Sequence, residues 1–233
     1  MNRSITNSIR FLMDECLPPF IRDSKFFMYP FYFLAYRGRN IRQIMNFKKE
    51  VLNFTAEQYT YFYNNLNSIS RNRVTDINEP SLKCILENIS KDTLNLLDVG
   101  CGNGFFLRQV KKKFPELELF GSDIMDKGES KEYNFILSQI EHLPFEDKSI
   151  DVVTCSHTLE HIINPEKAIA ELKRIARKQV IIIVPCQRYY YYTLDEHVNF
   201  FPFKEALTSI INIQEHTCKK IHGDWVYIGS IAE

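Results

Sequence analysis

The sequence predicts an α/β fold: a doubly wound, mostly parallel seven-stranded sheet carrying a helical N-terminal extension. Three observations predict it. Residues 91–233 alternate apolar strand candidates with helical patterns, the order that builds parallel sheets. One run, Val180-Ile-Ile-Ile-Val184, is apolar throughout, as a strand covered on both faces requires. Residues 1–90 show mixed three- and four-residue apolar spacings instead, as amphipathic helices do. The expected division is therefore 1–90 for the extension and 91–233 for the sheet domain.

In order along the chain, Phe47–Leu66 places Val51, Leu52, Phe54, Tyr59, Phe62 and Leu66 at helical spacing. Within it, Thr55-Ala-Glu-Gln has the form of a capping box, so a new helix should begin there. Pro80 opens another helix, with Leu82, Ile85 and Leu86 on one face. Strand candidates follow at 94–99, 117–122, 135–140, 151–156 and 180–184, with helices at 104–114 and 165–177 between them. A helix near 204–211 and strands around 214–222 and 225–232 complete the pattern.

Composition narrows the function. The chain has 233 residues, with 29 basic against 29 acidic side chains. Neutrality argues against a general nucleic-acid binder, which needs a basic excess to neutralise phosphates. The balance hides an asymmetry. Residues 1–90 hold 12 basic and 8 acidic side chains, and residues 91–233 hold 17 and 21. Six cysteines without a C-x-x-C pair fit a reducing cytoplasm, not a disulfide framework or zinc site. The N-terminal residues lack the apolar core of a signal peptide, and the aromatic run Phe26–Tyr36 falls short of a bilayer span.

The sharpest local feature is Leu96-Leu-Asp-Val-Gly-Cys-Gly-Asn-Gly-Phe-Phe-Leu107. A strand runs into Gly100, Gly102 and Gly104 and then a helix, so a ligand can lie directly against the backbone. Nineteen residues beyond Gly104 stands Asp123, placed to accept both hydroxyls of an adenosine ribose. A dinucleotide fingerprint spaces its glycines G-x-G-x-x-G, whereas here they are G-x-G-x-G with Asp98 two residues before the first. That carboxylate would repel a pyrophosphate and suits an ammonium or sulfonium. The charge argument selects S-adenosylmethionine over NAD.

With LDVGCGNG, FGSDI, SQIEHLPFEDKSIDVVTCSHTLEHIINP and VIIIVP in order, residues 90–233 resemble the class I S-adenosylmethionine-dependent methyltransferases, especially the quinone-biosynthesis branch. The resemblance implies a Rossmann-like methyltransferase fold. It implies that Asp98, Gly100 and Gly102 lie beside the methionine moiety and Gly104 at a close-packed turn. Asp123 would hold the ribose, and Ile124 and Ile140 would flank the adenine. At Gln139 the family commonly carries an aspartate that reaches the adenine amino group; the Gln amide oxygen can accept the same bond.

Three histidines are candidates for the methyl-transfer chemistry. His157 directly follows the fourth strand and is the first choice for lining the pocket near the methyl group. His161, four residues on, is expected on the same face of a short helix, with catalytic and loop-fixing roles equally weighted. His197, beside Asp195 and Glu196, is either a base with an orienting carboxylate or a helix cap. No third metal ligand accompanies the histidines and the chemistry needs none, so no metal is expected.

For the acceptor, the resemblance implies that Arg188 and Tyr190, in the tyrosine-rich stretch after the fifth strand, close over it; the alternative is that the tyrosines pack under the helical extension. Tyr61, Arg71 and Arg73 are expected either in the lid that the family often forms before its first strand or in a solvated turn, the two equally weighted. The Phe26–Tyr36 run has three readings, in falling order: core packing, a homodimer interface, and a peripheral membrane patch. The sequence as a whole reads as a cytoplasmic methyltransferase for a small molecule (a sugar, a phosphorylated metabolite or a lipid-linked intermediate), with oxygen favoured over nitrogen. The alternatives are a non-catalytic binding module on the same fold and a nicotinamide-dependent oxidoreductase.

Overall fold

The computed structural model describes residues 12–65, 74–126, 128 and 130–231. They fall into two compact units, one of residues 73–186 and 201–233 and the other of residues 1–72 and 187–200.

The first unit is built on a seven-stranded sheet in the order β3-β2-β1-β4-β5-β7-β6. Its strands are β1 Asn95–Val99, β2 Glu118–Asp123, β3 Asn134–Leu137, β4 Ile150–Ser156, β5 Ala176–Pro185, β6 His216–Ile221 and β7 Asp224–Ser230. The strands β1 to β5 pair in parallel, and β7 runs antiparallel between β5 and β6. Successive side chains point to opposite faces, and both faces are covered. Leu97, Val99, Val153, Cys155, Ile182 and Val184 share one buried layer with Ile169, Leu172 and Ile175 of the helix Pro165–Ile175. Leu96, Val152, Ile181 and Ile183 share the other with Ile85 of Glu79–Asn88 and with Phe106, Leu107 and Val110 of Phe105–Lys113. Each such side chain contributes roughly 1.5–3 kcal/mol when taken fully from water. The hairpin between β6 and β7 turns on His222 and Gly223, both at positive φ, as a two-residue primed turn demands.

The chain works outward from β1 to β2 and β3, then returns to β4 on the other side of β1. This reversal leaves a crevice beyond the C-terminal ends of β1 and β4, the place where open α/β sheets bind ligands.

The helix Glu79–Asn88, expected with the extension, belongs instead to the sheet unit. Asn78 caps it by accepting the Ser81 amide at 2.8 Å, and Ile85 and Ile89 are buried in the second layer. The boundary thus lies near residue 73, before that helix, and not at 90.

The second unit contains the helices Lys25–Ala35, Ile41–Met45, Phe47–Val51 and Ala56–Asn65 among its described elements. The capping box at Thr55 forms as read: the Thr55 amide donates to Gln58 Oε1 at 2.9 Å and the Gln58 amide donates to Thr55 Oγ1 at 3.2 Å. It divides the expected Phe47–Leu66 pattern into two helices. Residues 187–200 have no regular structure, yet their carbonyls are bonded by the helices. Arg22 donates to the Tyr192 carbonyl at 2.6 Å, Tyr32 to Thr193, Tyr36 to Leu194 and Lys48 to Tyr190.

Candidate active site

The loop after β1 is shaped by three residues with positive φ: Gly100, Gly102 and Gly104 at 74°, 54° and 73°. A Cβ on Gly100 would stand 2.1 Å from Thr158 Oγ1, and one on Gly104 would stand 2.3 Å from the Tyr133 hydroxyl. Those two glycines are therefore backed by side chains. Gly102 faces open space within 4 Å. The loop presents bare backbone at its middle, the surface that a ligand lying on the chain requires.

Asp123 ends β2 and is nearly buried. Its two oxygens accept the Gly102 amide and the Met125 amide, each at 2.9 Å, which ties the glycine loop to the following turn. A carboxylate has about four acceptor positions, so two remain for a diol. Ile124, next in line, is half-buried. Gln139 is exposed, and its carbonyl accepts the His142 amide at 3.0 Å. The Ile140 side chain, expected with its backbone amide against the adenine, is packed in the first core layer.

Asp98 is buried on β1 with Oδ1 receiving the Thr154 hydroxyl at 2.7 Å. Burial pushes its carboxyl up to about 7; the Thr154 bond works against this and the nearby Asp123 with it. Among the described residues no cation pairs with it. A buried carboxyl left without a counter-charge beside a bare glycine loop fits a cationic ligand.

His157 differs from its expected part. It takes a left-handed conformation (φ 52°) and its amide donates to the Ile183 carbonyl at 2.9 Å. Its Nδ1 lies 3.3 Å from Glu160 Oε1 and its Nε2 3.5 Å from Asp224 Oδ2, an ion pair longer than a good hydrogen bond. Asp224 also receives Asn78 Nδ2 at 2.6 Å. Burial disfavours the imidazolium, but Asp224 and Glu160 together outweigh it and hold His157 at about 10. A histidine already protonated at neutral pH has no lone pair for a substrate proton. The ring lies between Glu160 of the loop after β4 and Asp224 of β7.

His161 closes the short 3₁₀ turn Leu159–His161, is half-buried, and its amide donates to the Thr158 carbonyl at 3.0 Å. The turn starts after His157, so no helix places the two rings on one face. His197 lies in the helical unit, where Nδ1 is 2.7 Å from Gln187 Oε1 and 3.5 Å from Asp195 Oδ2.

The acceptor candidates divide similarly. Arg188 bonds the Leu17 carbonyl at 3.0 Å and the Tyr190 hydroxyl at 2.9 Å, and Tyr190 is buried beneath the Arg22 and Arg188 guanidinium groups. Both residues hold the helical unit together internally. Tyr61 is exposed and lines a cavity of about 620 Å³ with Arg39, Gln43, Phe54 and Phe62. Arg71 and Arg73 lie outside the described residues.

Sequence reading missed Asp224, Asn78, Thr158 and Tyr133. Asp224 meets His157, and Asn78 meets Asp224, through the antiparallel insertion of β7, which local pattern does not reveal. The other two are marked only by the glycines they back.

Comparison with known proteins agrees with this geometry. Residues 97–184 match the family described as a methyltransferase domain. An uncharacterized methyltransferase of Schizosaccharomyces pombe is 33% identical over 104 residues, which is 37% of each chain. A demethylmenaquinone methyltransferase of Thermotoga maritima is 26% identical over 95 residues, 38% of this chain and 42% of that one. The matched part is thus about two fifths of the length of these curated relatives. A solved S-adenosylmethionine-dependent methyltransferase from Aquifex aeolicus shares the fold with a TM-score of 0.51 at 18% identity, over 77% of this chain and all of that one. Glycine loop, Asp123, strand order and matched segment coincide in one unit of the chain, and residues 97–184 of that unit match the methyltransferase-domain family.

Proposed function

We propose that this chain transfers a methyl group from S-adenosylmethionine to an oxygen of a small-molecule acceptor. The observation that carries the reading is the open glycine loop flanked by two acids of different character. Asp98, buried and without a counter-cation, would take the methionine ammonium at its edge of the crevice. Asp123, fixed by two loop amides, would hold the ribose, with Ile124, Gln139 and the Ile140 backbone around the adenine. When bound, S-adenosylmethionine supplies a methyl carbon on a positively charged sulfur that departs as a neutral thioether. The chain's own contribution is alignment, for which effective molarity supplies about 7–11 kcal/mol.

Where the acceptor arrives protonated, His161 replaces His157 as the base in this reading, because His157 is already an imidazolium between two carboxylates. Oxygen is favoured because Ser156-His-Thr-Leu-Glu160 follows β4, where many nucleic-acid amino methyltransferases carry Asn/Asp-Pro-Pro-Tyr/Phe. A sugar, a phosphorylated metabolite and a lipid-linked intermediate all offer such an oxygen. The free cysteines and the neutral charge favour a cytoplasmic enzyme that does not act on nucleic acid. Among the described residues no helix is long and apolar enough to cross a membrane.

Calorimetric titration tests the reading. S-adenosylhomocysteine should bind and NADH should not. A folded sample that binds neither would leave only the binding-module alternative, and one that binds NADH alone would make the chain an oxidoreductase. Incubation with S-adenosylmethionine labelled in its methyl group, followed by mass spectrometry of the product, identifies the receiving atom.

A further inference from the structure

The helix Lys25–Ala35 has two apolar faces. Met28 and Tyr32, one turn apart, are buried in the helical unit's core. The opposite face carries Phe26, Tyr29, Pro30, Phe33 and Leu34, of which Phe26 is 92% and Leu34 76% exposed, and Phe20 just upstream is 77% exposed. Their i, i+3, i+4 and i+7, i+8 spacing makes one continuous stripe on the outer side. Apolar side chains scattered over a surface need no explanation, but an aromatic stripe on one helix does.

The charge around it identifies the occupant. From Ser24 to Lys49 there is no Asp or Glu, and Lys25, Arg37, Arg39, Arg42 and Lys49 are exposed. A second copy of the chain seated on this face would bring two such acid-free, cationic segments together. A bilayer with anionic headgroups offers both an apolar layer for the aromatics and counter-charge for the cations. An eleven-residue helix is about 16 Å long, too short to span a bilayer and suited to lying in its surface. Tyr29 and the long cationic side chains are of the type that sits at headgroup level.

We propose that the outer face of Lys25–Ala35 docks the protein on an anionic membrane surface. The inference is independent of the methyl-transfer reading.

Co-sedimentation of the full chain with vesicles tests it. One set is phosphatidylcholine alone, and the other contains one-third phosphatidylglycerol. Wild type should sediment at least tenfold more with the anionic vesicles and be released by high salt. Phe26→Ser combined with Leu34→Ser, and separately Arg37→Gln combined with Arg39→Gln, should each cut the bound fraction severalfold. Unchanged S-adenosylhomocysteine binding and thermal melting would show the variants to be folded; if they are not, the salt release of wild type decides alone. No enrichment on anionic vesicles would overturn the proposal, as would equal binding to neutral ones. Dimerisation of wild type in free solution, abolished by Phe26→Ser with Leu34→Ser, would assign the face to a second copy instead.

Discussion

The two units hold themselves together by different means. In the sheet unit the backbone satisfies itself through strand ladders, and apolar layers cover both faces. Among its buried polar side chains, Asp98 and Asp123 lie near the ends of β1 and β2, Glu160 follows β4 and Asp224 opens β7, with the half-buried His157 between the last two. In the helical unit, residues 187–200 have no ladder, so Arg22, Tyr32, Tyr36 and Lys48 spend their polar atoms on that segment's carbonyls. Burying irregular backbone requires such partners. Regular secondary structure thus frees side chains for chemistry, whereas an irregular segment consumes them.

If that contrast is right, single substitutions should cost much at the sheet's strand ends and little in the helical unit. The largest effect is expected for His157→Ala, which removes the imidazolium held between Glu160 and Asp224. Breaking a buried pair in this way costs about 3–5 kcal/mol, measurable by urea denaturation at neutral pH. The sign follows from the raised value of His157: its contribution is complete below about pH 6.5, the unfolded value, and disappears as pH rises through about 10. A wild-type stability profile flat across that window would break the comparison.

Asp98→Asn should act in the opposite direction. With a folded value of about 7 against about 4 unfolded, Asp98 holds an extra proton in the native state between those pH values. Stability therefore falls as pH rises from about 4 to about 7, and the full cost is present above. The asparagine variant should be more stable than wild type at pH 8, by up to about 4 kcal/mol at 1.4 kcal/mol per unit, and equal to it near pH 4. It should also bind S-adenosylmethionine more weakly. A variant that gained no stability at pH 8 would show that the carboxyl is solvated.

Asp123→Ala should weaken S-adenosylhomocysteine binding by about 1.5–3 kcal/mol, the range for a charged acceptor. Unchanged affinity would move the ribose elsewhere. The smallest effect is expected for Tyr32→Phe, which orphans the Thr193 carbonyl now bonded at 2.5 Å. It should cost about 1 kcal/mol, because neighbouring bonds still pin the segment. A loss as large as that of His157→Ala would erase the distinction between the two units.

Much of this was legible in the sequence, for reasons that also explain what was not. Strands buried on both faces announce themselves as apolar runs, and Val180–Val184 lies within β5 as read. The glycine loop and Asp123 are legible because a positive-φ turn and a strand-end acid are local demands. The partnership of His157 with Asp224 is not local. It depends on β7 entering the sheet beside β5, and nothing near either residue encodes that choice. The segment 187–200 defeated periodicity because it is held by side chains of distant helices, and the hydrogen bonds of Arg188 to the Tyr190 hydroxyl and the Leu17 carbonyl are not encoded in any local pattern. The helix Glu79–Asn88 was assigned by its neighbours in sequence, while its buried Ile85 answers to the sheet.

The position of β7 has a consequence in time. It is the last strand of the sheet to be synthesised, yet it lies between β5 and β6, and β6 pairs only with it in the sheet order. On the ribosome, one flank of the sheet must therefore wait for residues 224–230. Asp224 is the first residue of that strand, so the loop carrying His157 acquires the second of its two counter-charges, after Glu160, only at that late step. A nascent chain stalled before β7 would hold the glycine loop's sequence but not the clamp on the loop opposite.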